Sequence, residues 1–208
     1  VGTVILLGEI LNTNAANLSE KCADLGLSCF YQSVVGDNEE RLSGVLKTAL
    51  ERSDIVILSG GLGPTEDDLT KEVSAKVMGR ELSMHEPSKK RIEEYFSSRN
   101  LELTENNWKQ AMVPEGAIVL DNENGTAPGV IMEGEGKKVI LLPGPPNEMI
   151  PMFEKQIMPY LSGSDLGMIY SQTVKICGEG ESKAETMIKD MIDSQTNPTI
   201  ATYAKNWE

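Results

Sequence analysis

Along the first third of the chain, short apolar runs alternate with stretches whose apolar positions recur every three or four residues. Val4-Ile5-Leu6-Leu7 is apolar but is broken by Gly8-Glu9, so its pattern alone assigns it to neither strand nor helix. After Asn12-Thr13-Asn14, residues Leu18, Cys22 and Leu25 form one helical stripe, with Asn14 as the N-cap and Gly26 as the stop. Residues 27–35 alternate as a strand. Gly36-Asp37-Asn38-Glu39-Glu40 turns into a second helix, with Asp37 at the cap and Glu40 at the capping-box position. Its core face is Leu42, Val45, Leu46, Ala49 and Leu50, and Asp54 to Leu58 follows as a buried strand.

Beyond Thr70, Val73 and Val77 carry a third helix that Gly79 ends, and 87–99 reads as a charged, half-exposed helix. Residues 106–111 are polar around Trp108. A Pro-Glu-Gly turn precedes a short strand at 117–120. Val130 to Met132 and Lys138 to Leu142 are strands joined by a hairpin-like turn at Gly134 and Gly136. Met152, Phe153, Ile157 and Leu161 then lay a helix against the sheet, with Met149 and Met152 in the core. Ser162 to Asp165 reads as a linker. A strand at 171–177, a helix carrying Ala184, Met187, Ile188 and Met191, and a strand at 199–204 follow. The chain therefore divides into a domain at 1–163 and a partial β-α-β piece at 170–208. A start at Val1 and an abrupt end at Glu208 are expected to leave parts of the protein outside this sequence. Strands alternating with helices at this spacing predict an α/β fold, a doubly wound sheet with parallel pairing. Ligands of such sheets bind beyond the carboxyl ends of the strands.

One stretch organises the first domain. Ser59-Gly60-Gly61-Leu62-Gly63-Pro64-Thr65-Glu66-Asp67-Asp68-Leu69-Thr70 follows a buried strand and precedes a helix. Glycines admit close approach of the backbone to a phosphate, and the first N–H groups of a helix lack internal partners. Two carboxylates would repel a bare phosphate, but they suit a divalent cation shared with its oxygens. The stretch reads equally as a tight βα turn leading to a solvated acidic helix start. Asp37 follows the preceding strand and falls on the same sheet edge, where it fits either ligand chemistry or a plain cap. Pro143-Gly144-Pro145-Pro146 makes a rigid loop at the end of another strand.

Charge and composition narrow the chemistry. The 208 residues carry 32 acidic and 19 basic side chains, a net charge of −13, with no basic stripe for nucleic acid. Cys22, Cys29 and Cys177 are odd in number and lack C-x-x-C spacing, which fits a reducing, cytoplasmic setting. Cys22 lies on an apolar face, as a packing residue. His85 is the single histidine, so histidine triads and multi-histidine metal sites are excluded within the chain. No apolar run is long enough for a membrane span, and no signal peptide is visible.

Five motifs occur in order: Asn12-Thr13-Asn14; Val35 to Leu42 around Gly36-Asp37-Asn38; Gly60 to Thr65 with Asp67-Asp68; Gly125-Thr126-Ala127-Pro128-Gly129; and Leu142 to Pro146. Together they closely resemble the N-terminal part of the competence/damage-inducible protein A (CinA) family. That part is similar to the molybdopterin-binding domain of the MogA and MoaB proteins. The tail from Gly178 resembles the start of the family's small middle domain. The resemblance implies a three-layer αβα fold with a mostly parallel sheet, and a homo-oligomer, a dimer first. It also implies metal-dependent cleavage of the pyrophosphate of ADP-ribose or a similar nucleotide diphosphate sugar. A non-catalytic nucleotide or pterin binder and a molybdopterin adenylyltransferase are the alternatives. The family's deamidase domain falls outside this chain. Residue by residue, the resemblance gives phosphate contacts to Gly60, Gly61, Gly63, Pro64 and Thr65, and catalytic roles to Asp37 and Asp68. A divalent metal would lie on Asp37, Asp67 and Asp68. Gly125, Thr126 and Gly129, with Pro143, Gly144 and Pro145, would form the opposite wall, and Asn14 would lie near ribose or base. Two departures stand out: the family has a strand before its Val-Gly-Thr, where this sequence begins, and a glutamate after it, where this chain has Val4.

Overall fold

The computed structural model describes residues 1–162 and 172–202, and the chain divides into compact units at Val1–Ile169 and Tyr170–Glu208. In the first unit, β1 (Ile55–Ser59), β4 (Ile118–Leu120), β5 (Gly129–Gly134) and β6 (Lys137–Leu142) form a sheet in the order β1-β6-β5-β4, and β2 (Leu82–Met84) pairs with β3 (Met112–Pro114) in a second, two-stranded one. The larger sheet is mixed: β1 lies parallel to β6, and β5 runs antiparallel to both β6 and β4. The β5–β6 turn has positive φ at both central residues, Glu135 (52°) and Gly136 (76°), the twist that a two-residue hairpin requires.

The helices are α1 (Thr3–Leu6), α2 (Thr13–Asp24), α3 (Glu39–Arg52), α4 (Thr70–Val77), α5 (Glu86–Ser98), α6 (Pro146–Met152) and α7 (Met158–Ser162). A 3-10 segment spans Glu105–Ala111, and a π turn at Phe153–Ile157 joins α6 to α7. Strand alternation sends the side chains to two cores. Leu58, Val130, Met132, Val139 and Leu141 pack with Leu42 and Leu46 of α3 and Val73 of α4. Ile131, Ile140 and Leu142 pack with Cys22 of α2, Met149 and Met152 of α6, and Phe153 and Ile157. Helices thus cover both faces, giving three layers, and each fully buried Leu or Ile contributes about 1.5–3 kcal/mol. Among the described residues no helix is long and apolar enough to cross a membrane.

The structure departs from the sequence pattern in several places. Val4 to Leu6, which the pattern left open, is helical, within α1. Residues 27–35 form no strand, and β1 is the last strand on that side among the described residues. A period-2 pattern becomes a strand only when a neighbour takes its backbone groups. Here Phe30 stays 80% exposed, and Tyr31 stays exposed as well, with the Arg52 guanidinium 3.8 Å from its ring centre. The caps of α2 and α3 are Asn12 and Asn38, not Asn14 and Asp37. Their side-chain oxygens accept from the N–H groups of Ala15 (3.2 Å) and Arg41 (3.0 Å). Gly26 stops α2 as expected, at φ 76°, with Leu27 N–H on Cys22 O and Gly26 N–H on Ala23 O.

In the second unit two short helices, α8 (Glu181–Met187) and α9 (Lys189–Ser194), are present. Residues 172–177 and 199–202 are not strands. Val174 is 75% exposed, and among the described residues the alternating pattern finds no neighbouring strand. Ser171, Tyr203 and Ala204, the remaining ends of the two expected strands, lie outside the described residues.

Candidate functional site

Strand β1 delivers the Gly60–Asp68 loop to the carboxyl edge of the sheet. Gly60 N–H continues the ladder onto Leu142 O (2.9 Å), and Leu62, 2% exposed, roots the loop in the core. Gly60 and Gly61 take φ of 97° and 71°. A Cβ on Gly60 would fall 2.4 Å from Val1 O, and one on Gly61 2.2 Å from Thr70 Oγ1. The loop closes through Thr70 N–H to Gly61 O (3.1 Å) and Thr65 N–H to Asp68 Oδ2 (3.0 Å). Thr65 Oγ1 lies 2.5 Å from both Asp67 Oδ1 and Asp68 Oδ2. The amides of Gly61, Leu62 and Gly63 find no protein acceptor among the described residues. Pro64 is half-buried between this amide run and Thr65.

The Pro143–Pro146 loop runs alongside. A Cβ on Gly144 would lie 3.5 Å from Gly60 Cα. Asn14 clamps the two strand ends: its Nδ2 donates to Ser59 Oγ (2.8 Å) and Gly144 O (2.7 Å), while Ser59 Oγ donates to Pro143 O (3.0 Å). With Asn12 taking the cap, the Asn14 side chain is free for this work. Asn14→Ala is expected to destabilise the domain by about 1–2 kcal/mol, read as a lower urea midpoint at unchanged slope.

The third wall is the 122–129 loop. Asn122 Nδ2 donates to Ala127 O (2.9 Å) and Glu148 Oε2 (2.7 Å), and Asn124 Nδ2 to Asn147 O (2.6 Å). A Cβ on Gly125 would fall 2.2 Å from Glu148 Oε2, and one on Gly129 2.5 Å from Met152 Sδ. Thr126 is half-buried, Pro143 buried and Pro145 exposed. Gly125 and the Pro143–Pro146 loop therefore meet in one cluster at the start of α6, whereas Gly129 packs on Met152 at the helix's other end. Ser59, Asn122 and Glu148 hold the cluster together, and nothing in the sequence marked them except their position at strand ends and the first turn of a helix.

The acidic residues behave differently. Asp67 and Asp68 sit together under Thr65. Asp67 is held below the usual carboxylate range, first by the Thr65 hydroxyl, then by its own backbone N–H, with Lys109 adding to the effect. Asp37 stands apart: its Oδ2 accepts from Thr3 N–H (2.8 Å) and Thr3 Oγ1 (2.9 Å), at the start of α1. Gly2 N–H meets Val35 O (3.0 Å) and Val1 O packs on Gly60, so Asp37 belongs to the same edge. Asp37, Asp67 and Asp68 do not converge on one point, and no group of three metal-binding side chains forms among the described residues. Behind the loop, Lys71 is 2% exposed and donates to Lys109 O (3.0 Å) and Gln110 O (2.8 Å). Lys109 Nζ in turn donates to Thr65 O (2.7 Å). Neither lysine stood out in the sequence. Cys22 is a packing thiol, pushed up to about 11 by burial, with Cys29 adding to the shift.

A family model described as "Probable molybdopterin binding domain" matches residues 1–163, and one described as "Damage-inducible protein CinA KH domain" matches residues 171–208. The crystal structure of the protein CinA from Thermoplasma acidophilum, described as of unknown function, superposes with a TM-score of 0.70 at 37% identity. The match covers 76% of this chain and 93% of that one. The chain belongs to the CinA family. A CinA-like protein of Dictyoglomus turgidum is 58% identical over 208 residues, and one of Dictyoglomus thermophilum 55%, each match covering 100% of this chain. The chain spans about half the length (51%) of these relatives. Within the CinA-family chain, the region matching the molybdopterin-binding model is the three-layer domain that carries the Gly60–Asp68 loop.

Proposed function

We propose that the cleft binds a nucleotide diphosphate sugar of the ADP-ribose type and hydrolyses its pyrophosphate with the help of a divalent cation. The observation that supports this most is the run of three unpaired amides, Gly61 to Gly63, in the same loop as the carboxylates of Asp67 and Asp68. Unpaired loop amides suit phosphoryl oxygens and stabilise charge gained as water attacks phosphorus. Thr65 takes one oxygen of each carboxylate, Asp67 Oδ1 and Asp68 Oδ2, and leaves Asp68 Oδ1 for a ligand. Small hard cations are bound through one or two carboxylates together with substrate phosphates, so this pair fits such an ion although the three-carboxylate set does not form. When bound, the cation neutralises the pyrophosphate oxygens. Asp37, outside the pair, takes the proton of the attacking water. The new bond joins water oxygen to phosphorus, and the bond to the bridging oxygen breaks, releasing AMP and a sugar phosphate. Asn14 and the 143–146 loop hold the nucleoside against the sheet edge.

Incubation with ADP-ribose and Mg²⁺, Mn²⁺ or Co²⁺ should release AMP. Asp37→Asn and Asp68→Asn are each expected to slow release at least about a hundredfold. Absence of AMP with every metal, from a sample that is folded by circular dichroism, would reject hydrolysis. A second reading is favoured by one observation: Thr65 uses both carboxylates as loop braces, as a purely binding cleft would. In that reading the domain holds a nucleotide or a pterin without turnover, or serves molybdopterin adenylylation. Calorimetric binding without product would select it. Exposed Leu7, Leu11 and Phe30 are compatible with a homodimer in either case, which sedimentation velocity would reveal.

A further inference from the structure

We infer that Lys109 is the protein's own cation in this cleft, meeting ligand phosphate oxygens directly; the inference deepens the proposal above and takes the ligand's position from it. An anion approaching the loop meets a chain of net charge −13 and, locally, Glu66, Asp67 and Asp68. Three amides carry only partial charges, so a full positive charge nearby decides whether a phosphate stays. Contacts among the described residues place two lysines here. Lys71 is spent: its ammonium is buried against the carbonyls of Lys109 and Gln110. Lys109 differs. Its side chain is 23% exposed, its Nζ donates to Thr65 O (2.7 Å), and Glu72 Oε1 stands 3.8 Å away.

An ammonium has three N–H donors, and Thr65 O takes one. Glu72 Oε1 forms an ion pair with it at 3.8 Å, beyond hydrogen-bond length, so N–H donors remain for a ligand. Lys71 fixes the backbone of Lys109, and the bond to Thr65 O holds its ammonium beside the loop. Such a lysine lets the cleft hold a pyrophosphate before any metal arrives.

Calorimetric titration with inorganic pyrophosphate and with ADP-ribose tests this on the full chain, in EDTA and again with Mg²⁺. The wild type should bind both ligands in EDTA. Lys109→Gln should weaken both about tenfold or more, and Lys109→Arg should restore most of the loss. Added KCl should weaken wild-type binding more steeply than that of Lys109→Gln, a difference that a merely structural lysine would not produce. Equal affinity and equal salt dependence in Lys109→Gln would overturn the inference and leave the hydrolase proposal standing. So would wild-type binding that requires Mg²⁺. Lysine-dependent pyrophosphate binding without AMP release from ADP-ribose would sustain Lys109 and reject hydrolysis. Binding of neither ligand under any condition would overturn both.

Discussion

Gly61→Ala is expected to lower stability by roughly 2–4 kcal/mol and to abolish ligand binding, from two separable causes. The first is conformational. At φ 71° an L-residue is disfavoured by about 1 kcal/mol relative to glycine. The second is steric. The new methyl would lie 2.2 Å from Thr70 Oγ1 and 3.2 Å from Thr70 Cβ. Thr70 is 0% exposed, and it opens α4 with its N–H on Gly61 O, so it cannot turn aside without opening the loop. Relief must come from displacing Gly61, which moves the adjacent amides offered to the ligand. Gly79→Ala is the matched control: φ is 65° but nothing lies within 4 Å of the added methyl. It should cost only the conformational part, about 1 kcal/mol, and leave binding intact. Urea unfolding of the two variants, and of Gly61→Ala/Thr70→Ala, separates the causes. The double variant should recover the steric share and keep the conformational one. Equal losses in Gly61→Ala and Gly79→Ala would show that the Thr70 contact is not tight.

Much of this geometry is legible in the sequence, and the exceptions share a physical cause. The apolar stripes of α2, α3 and α6 are read correctly because burial against a sheet is what a 3.6-residue period encodes. The turn after β1 and the Glu135-Gly136 hairpin are read from glycine, whose backbone freedom is a local property. Residues 27–35, 172–177 and 199–202 alternate convincingly and still form no ladder among the described residues, since a strand exists only through a neighbour. The caps of α2 and α3 were displaced by two residues and one. Asn12, Asn14, Asp37 and Asn38 all have capping chemistry, and only the three-dimensional register decides that Asn12 and Asn38 cap while Asn14 clamps Ser59 to Gly144 and Asp37 holds Thr3. Pairing between distant segments is least legible. Lys109 on Thr65 and Glu148 on Asn122 bridge 44 and 26 positions, with no local pattern to announce them.

Lys71 should give the domain a stability that rises with pH in the alkaline range. Burial pushes its ammonium down to about 8 from an ordinary value of 10.5; Lys109 adds to the fall, while Glu72 and Asp68 oppose it. In the unfolded chain the same amine holds its proton up to about 10.5. Between the two values the unfolded state therefore binds more protons than the folded one, and stability increases as pH rises. Below about 8 both states are protonated and this contribution is flat. Across the window it grows by up to about 1.4 kcal/mol per pH unit, for a total near 3 kcal/mol. Other lysines and the tyrosines titrate in the same range, so the informative quantity is the difference from Lys71→Met. Urea midpoints of the two proteins between pH 7 and pH 10 should diverge, the wild type gaining relative to the variant. The methionine variant also leaves the carbonyls of Lys109 and Gln110 without their donor, at about 1–3 kcal/mol each if they stay dry. That loss is independent of pH, so it offsets the two curves without altering how they separate. A constant difference from pH 7 to 10 would mean that water reaches the ammonium and that Lys71 is not the buried cation beneath the loop.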